Sequence, residues 1–566
     1  METTKKFIIY QVFTRLFGNQ NKTCQPDGSI EVNGCGKMKD FTKQALHEIK
    51  KLGATHIWYT GLLAHASQTD YTAYGIPKNH PSIVKGKAGS PYAIRDYYDV
   101  DPDLAEHVDK RMEEFDDLVK RTHECGLKMI IDFVPNHVAR QYHSIAKPQG
   151  VKDLGEEDDC TQAFNPQNNF YYIPDQKLGG EIDFYNPEMG TYEEMPAKAT
   201  GNDRFDPWPN RNDWYETVKL NYGVDYINHT GGHFDPIPDT WHKMEQILNY
   251  WAEKGIDGFR CDMAEMVPCE FWGWVIPRIK ATYPHIIFIA EVYNPNEYRN
   301  YIYNGHFDYL YDKVGLYDTL RNITCGYGSA TGITHCWQSV DDIQDHMLNF
   351  LENHDEQRIA SGFFAEDPFK AIPAFIVSAC LRKNPVMLYF GQELGEKGMD
   401  SEGFSGRDGR TTIFDYWCVD SIFRWNNHGR WNTHLLNDRE KELRHIYETI
   451  LHICQTEPAI SDGDFFDLMY VNLNGWQMNE HKQYAFLRKF ANEVLLIMVN
   501  FGDAAAQIGV NIPSHAFDYL KMTPAPKCKC KDLLSGKQET ICLSPDSPVC
   551  TELPAFGGKI LKFKIK

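Results

Sequence analysis

Four short segments of this sequence end apolar runs in side chains capable of acid–base and nucleophilic chemistry. They are IIDFVPNH (130–137), GFRCDMAEM (258–266), FIAEVY (288–293) and FLENHD (350–355). Three carboxylates occupy positions suited to catalysis, Asp262, Glu291 and Asp355, accompanied by His137, His354 and Arg260. Arg260 lies two residues before Asp262, and the alternation of an extended strand points both side chains to one face. Cleavage of a glycosidic bond needs this equipment. One carboxylate attacks the anomeric carbon, and a protonated carboxyl delivers its proton to the departing oxygen. Neighbouring carboxylates raise the pKa of the acid, whereas an arginine keeps the nucleophile ionised. Histidines that hold sugar hydroxyls strengthen their contacts as the ring flattens toward an oxocarbenium ion. A single acid at a strand end is more often a helix cap or an ion-pair partner, so the reading rests on the four segments as a set.

The elements that must position these residues alternate along the chain. Strand-like runs are predicted at 7–13, 54–60, 128–134, 257–262, 286–292, 307–311, 350–353 and 386–390, with amphipathic helical stretches at 41–52, 111–125 and 240–254. Continuous apolar strands followed by helices read as parallel pairs with crossover helices. Eight such units close a (β/α)8 barrel, whose catalytic side chains gather at the C-terminal strand ends. The interval 138–233 breaks the rhythm. It is rich in Asn, Asp, Gly, Pro and Tyr, and a loop of that length implies a small unit of its own. From about residue 463 short alternating strands (DLMYVNL, QYAFLRKF, VLLIMVNF, KILKFKI) predict an antiparallel β domain. The expected division is therefore barrel 1–137, insertion 138–233, barrel 234–462 and β domain 463–566.

Bulk properties narrow the class. Hydrophobic residues make up 42% and charged residues 24% of the 566, a globular balance. The formal net charge of −20 lacks the basic footprint of a nucleic-acid binder and repels anionic lipid, so neither nucleic acid nor membrane is an expected partner. No run is long and apolar enough to cross a bilayer, and the N-terminal METTKKFIIYQVF reads as a buried strand rather than a signal peptide. The 15 cysteines, odd in number and without an export signal, point to a reducing, cytoplasmic setting. Cys528, Cys530, Cys542 and Cys550 lack a C-x-x-C pair and read as thiols rather than zinc ligands.

Taken together, the segments resemble those of the α-amylase family, family 13 of the glycoside hydrolases, over nearly the whole chain. The resemblance implies a TIM barrel with an inserted domain B after the third strand and a C-terminal β-sandwich. It implies Asp262 as nucleophile, Glu291 as general acid/base and Asp355 as transition-state stabiliser. Arg260 becomes the orienting arginine, and Asp132, Asn136, His137, Asn353 and His354 complete the strand-end motifs. GSPYAIRDYYDVDP (89–102) resembles the family's G-Y…D-Y…V-D-P segment and implies Tyr92 as the stacking tyrosine of a sugar subsite. The implied reaction is retaining hydrolysis of α-1,4-glucosidic bonds in malto-oligosaccharides or α-glucans, without a cofactor. A glycosyl transferase or isomerase on the same scaffold is the alternative, and a binding-only relative should have lost one of the three acids.

Departures from the family pattern concern metal and chain specificity. Where many relatives place a calcium-binding Asp, this chain reads VKLNYG with Lys219. Where they place a His after the nucleophile, DMAEM has Met266. An ammonium repels a hard cation that seeks oxygen ligands, so no metal is expected there. Lys219 is instead expected to pair with Asn136 and nearby carbonyls. Glu265 and Met266 also displace a Lys-His pair used beyond the cleavage point. The loop 19–41 is too poor in carboxylates for an ion site. GRDGRT (406–411) lacks the phosphate-loop form and is expected to shape the pocket rim.

Overall fold

The computed structural model describes residues 5–475 and 477–565. Eight parallel strands close a barrel: β1 (Ile8–Phe13), β2 (His56–Thr60), β3 (Lys128–Phe133), β4 (Gly258–Cys261), β5 (Ile287–Ala290), β6 (Tyr309–Tyr311), β7 (Met347–Phe350) and β8 (Val386–Tyr389). Each strand pairs with its sequence neighbours, and β1 closes the ring on β8 through Ile8–Val386 to Gln11–Tyr389. The strands are buried along almost their whole length because helices cover the outside while the interior is filled by side chains such as Ile9, Trp58, Ile130, Ile289, Leu348 and Met387. Gly258 opens β4 where a Cβ would stand 2.5 Å from Ile287 Cγ1 and 3.0 Å from its carbonyl oxygen, so only glycine lets β4 and β5 approach.

The expected helices appear as α1 (Lys43–Leu52), α2 (Arg111–Glu124) and α3 (Asp239–Glu253). In α1, Thr42 caps the start by accepting from Ala45 N, and Ala45, Leu46, Ile49 and Leu52 form the buried stripe.

One strand differs from expectation. The seventh was predicted at 350–353 but ends at Phe350. The following polar side chains bond locally and turn the chain out of the sheet. Asn353 Oδ1 accepts from the backbone of Asp355 (2.9 Å) and Glu356 (2.8 Å), and the Glu352 carboxylate takes Ile359 N and the Arg358 guanidinium.

After β3 the chain leaves the barrel into short two-stranded ladders. His137–Ala139 pairs with Thr217–Lys219, and Tyr172–Ile173 with Ala197–Lys198. A small core of Ile83, Ile173, Leu178, Phe184 and Ala197 holds this part together. The C-terminal region is a six-stranded antiparallel sheet of β9 (Asp464–Asp467), β10 (Gln483–Phe490), β11 (Glu493–Asn500), β12 (Ala525–Asp532), β13 (Gln538–Leu543) and β14 (Gly557–Lys564). Its order is β9-β10-β11-β14-β12-β13, with a two-stranded ladder of Ala506–Val510 and Val549–Leu553 beside it. Among the described residues no helix is long and apolar enough to cross a membrane.

Candidate active site

The C-terminal ends of the barrel strands open into a cavity of about 970 Å³ lined by Tyr92, His137, Asp262, Glu291 and Asp355 among others. Arg260 is fully buried on β4, over the rings of Trp58, Tyr92 and Tyr311 at 5.1–5.6 Å. Its guanidinium is the hub of the site. Nη1 donates to Asp262 Oδ1 at 2.7 Å and lies 3.5 Å from Asp132 Oδ1, whereas Nη2 stands 2.9 Å from Glu291 Oε2. That last contact is out of line for a hydrogen bond, so it acts as charge on charge. Tyr311 accepts from Nε at 3.1 Å and fixes the plane of the fork.

Glu291, at the end of β5, is held at both oxygens. Met263 N donates to Oε2 (2.7 Å) and the Tyr293 phenol to Oε1 (2.6 Å). Asp355 follows β7 and keeps its side chain 30% exposed toward the cavity, the most open of the three acids. His354 Nε2 stands 3.0 Å from Asp355 Oδ2 and 2.5 Å from the Tyr92 hydroxyl, and its ring stacks on Tyr92 at 5.2 Å. Gln11 Nε2 lies 2.9 Å from His354 Nδ1; donating to it, the amide leaves the ring proton on Nε2, facing Asp355. Asp132, on β3, accepts from Trp58 Nε1 at 3.1 Å.

Electrostatics sort these groups. Burial drives Asp262 well above the usual carboxylate range. Arg260 opposes that rise, while Glu291, Asp355 and Asp132 add to it. Among these influences Arg260 is the one that favours the ionised carboxylate. Burial also lifts Asp132. It works upward on Asp355 too, but His354, Arg260 and Arg410 hold that carboxyl below its usual range. His137 is pushed down to about 3, first by burial and then by Lys219 and Lys85, so its ring is neutral at ordinary pH.

Tyr92, Asp132, His137, Arg260, Asp262, Glu291, His354 and Asp355 thus gather around one guanidinium and one cavity. Sequence reasoning missed Gln11, Trp58, Tyr311 and Tyr293. Each sits on a barrel strand or just beyond its end, a position that marks an inward residue, but nothing in its type announces a role. Glu265 lies outside the cavity lining, its Oε2 accepting from Tyr293 N and Asn294 N at 3.0 Å each. Lys219 is buried on the strand beside His137. Its ammonium bonds Asn136 Oδ1, Met266 O (3.2 Å) and Asp203 (2.7 Å). Among the described residues no cluster of three or more His, Cys, Asp or Glu could hold a metal. The loop 19–41 is instead closed by amides. Asn19 donates to Asn33 O and Trp417 O, and Asn33 to Gln25 O and Tyr416 O.

Comparison with known proteins agrees with this geometry. Residues 11–415 match the α-amylase catalytic domain. α-Amylase 3 of Dictyoglomus thermophilum is 24% identical over 490 residues, covering 81% of this chain and 79% of that protein. An α-amylase of Streptomyces lividans is also 24% identical, over 568 residues, covering 93% of this chain but only 56% of its own length. The crystal structure of an α-amylase from Geobacillus thermoleovorans complexed with acarbose superposes with a TM-score of 0.64 at 18% identity, across 100% of both chains, a likeness of fold. With the barrel, the strand-end motifs and the match over residues 11–415 in agreement, the chain belongs to the α-amylase family.

Proposed function

We propose that this protein is a retaining glycoside hydrolase that cleaves α-1,4-glucosidic bonds of malto-oligosaccharides or α-glucans by double displacement. The observation that carries the reading is the Arg260 fork, which holds Asp262 and Glu291 on its two terminal nitrogens with Asp355 across the same cavity. Two carboxyls that share one guanidinium are neighbours, and a retaining mechanism asks for a pair about 5–5.5 Å apart. In the first step Asp262 bonds to the anomeric carbon, and Glu291 gives its proton to the departing sugar oxygen. In the second, water attacks that carbon, its proton passes to Glu291, and the bond to Asp262 breaks. Asp355, with His354, Tyr92 and neutral His137, holds sugar hydroxyls in this reading. Proton NMR of the first product from maltoheptaose should show the α-anomer; initial β-product would sink the assignment of Asp262. Chromatography of products from maltose through maltoheptaose, starch and isomaltose then defines linkage and chain length.

Transfer of the glycosyl unit to a second sugar is the other reading. A sugar hydroxyl bound in the cavity lined by Ser90 and Tyr92 would take the glycosyl unit from Asp262 in place of water. Reducing sugar released against disproportionated oligosaccharide separates the two. The unit boundaries at 137/138, 233/234 and 462/463 belong to the same proposal, supported by the ladders after β3 and the separate sheet from Asp464. So does a cytoplasmic setting, supported by the 15 cysteines, all free thiols in the structure.

A further inference from the structure

Glu291 presents two oxygens in unlike surroundings. Oε2 receives the Met263 N–H at 2.7 Å and faces Arg260 Nη2 at 2.9 Å. Met263 is held at φ +43°, a left-handed conformation that a side chain rarely adopts, and its N–H is aimed at this carboxyl. An oxygen facing a fixed N–H and a permanent cation keeps its lone pairs, so the proton that Glu291 exchanges belongs on Oε1. The partner of Oε1 is the Tyr293 hydroxyl at 2.6 Å. Burial, followed by the charges of Glu291 and Asp355, keeps this phenol protonated far beyond neutral pH, so it is a permanent donor. Its backbone is held in turn, because Glu265 Oε2 accepts from Tyr293 N and Asn294 N at 3.0 Å each.

We propose that Tyr293 is a positioning residue for proton delivery: its hydroxyl aims Glu291 Oε1 at the scissile oxygen and stabilises the carboxylate left behind, and Glu265 fixes Tyr293 in place. The inference rests on the assignment of Glu291 as acid/base. When Oε1 carries the proton, the phenol donates to a neutral carboxyl. Once that proton has moved to the departing sugar oxygen, the same hydrogen bond ends on a negative oxygen and is about twice as strong. Contacts that strengthen along the reaction accelerate it. The charged and titratable groups facing this pair are Arg260 on β4, Asp262 just after it, Tyr311 on β6, and Asp355 after β7. A Tyr293→Phe substitution leaves all of them unchanged.

The test is Tyr293→Phe, which keeps the ring, with pH profiles of kcat/KM on maltoheptaose and on a 2,4-dinitrophenyl α-glucoside whose leaving group needs no proton. Removing the donor disfavours the carboxylate, so the alkaline limb should move up by about one pH unit. Turnover of maltoheptaose should fall about ten-fold or more, while the activated substrate is little affected. Glu265→Ala should show the same leaving-group dependence at smaller size. An unmoved alkaline limb, or equal losses on both substrates, overturns the proposal. Glu291→Gln separates this failure from that of the parent reading. If that variant still turns over maltoheptaose at the normal rate, Glu291 is not the acid and both fall. If it loses only the unactivated substrate while Tyr293→Phe behaves as wild type, the role of Tyr293 alone is refuted.

Discussion

At the scale of single residues the site is organised by one side chain. Arg260 is the sole cation in direct contact with Asp262 and Glu291 among the described ion pairs, and it also approaches Asp132. If Asp262 is the nucleophile proposed above, Asp262→Asn keeps the volume and removes the attacking carboxylate, so kcat should fall on the order of 10⁴-fold. The same change should not weaken the fold near neutrality. The carboxyl of Asp262 is raised in the folded state, so its ionised form is disfavoured there. A raised acid contributes stability at low pH and loses it as pH climbs from the unfolded value near 3.9 through the folded one. Melting curves should therefore show Asp262→Asn at least as stable as wild type at pH 7, with any advantage vanishing toward pH 4. A lower melting temperature for the variant at pH 7 would show that the ion pair with Arg260 outweighs the burial of the charge.

Elements fail or hold through their ties, and the strand Thr217–Lys219 is tied to the barrel by a buried ammonium. Lys219 brings a positive charge to Asn136 Oδ1 and Met266 O, linking the ladder after β3 to the segment after β4. Burial lowers its pKa and Asp203 resists that shift. An ammonium seated among these oxygens repels a metal cation, so chelator should change neither the melting temperature nor activity. Lys219→Met keeps the stem and deletes the donor, leaving two buried oxygens without their partner. It should cost about 1–3 kcal/mol, beyond the ~0.5 kcal/mol of an ordinary surface change. A drop in melting temperature with chelator that calcium restores would overturn this account.

Across the whole molecule the C-terminal sheet is joined to the barrel by Arg488 on β10. Its guanidinium is buried and donates to four carbonyls, Leu381, Ala459, Ile460 and Gly463, from the segments around α-helices Ile372–Cys380 and Pro458–Ser461. No carboxylate contacts it among the described residues, and burial lowers its pKa to about 10. Arg488→Met should orphan those carbonyls and cost at least about 2 kcal/mol. Its effect should appear as lower overall stability in calorimetry with kcat per folded molecule unchanged. A loss of kcat in fully folded variant would mean that the sheet also shapes the cavity.

The alternation of apolar runs and amphipathic stretches was enough to predict the barrel, because a parallel strand buried on both faces must be continuously apolar and its crossover helix must carry one apolar stripe. The strand-end motifs were legible for a similar reason. A barrel delivers whatever stands at those ends to one place, so residue type and order located Asp132, His137, Arg260, Asp262, Glu291, His354 and Asp355. The pairing of Lys219 with Asn136 and a nearby carbonyl was legible too. The end of β7 was not, since Glu352 and Asn353 have strand-compatible neighbours and leave the sheet only because Arg358 and nearby backbone N–H groups lie within reach. The tertiary structure also decided the balance of charge on Asp262. Spacing along the chain reveals that an arginine is near, but burial and the distances to the other carboxylates depend on Glu291, Asp355 and Asp132, which stand 29, 93 and 130 positions from Asp262. For the same reason only the folded chain brings the phenol of Tyr293 onto Glu291 and turns Glu265 onto the backbone instead of the cavity.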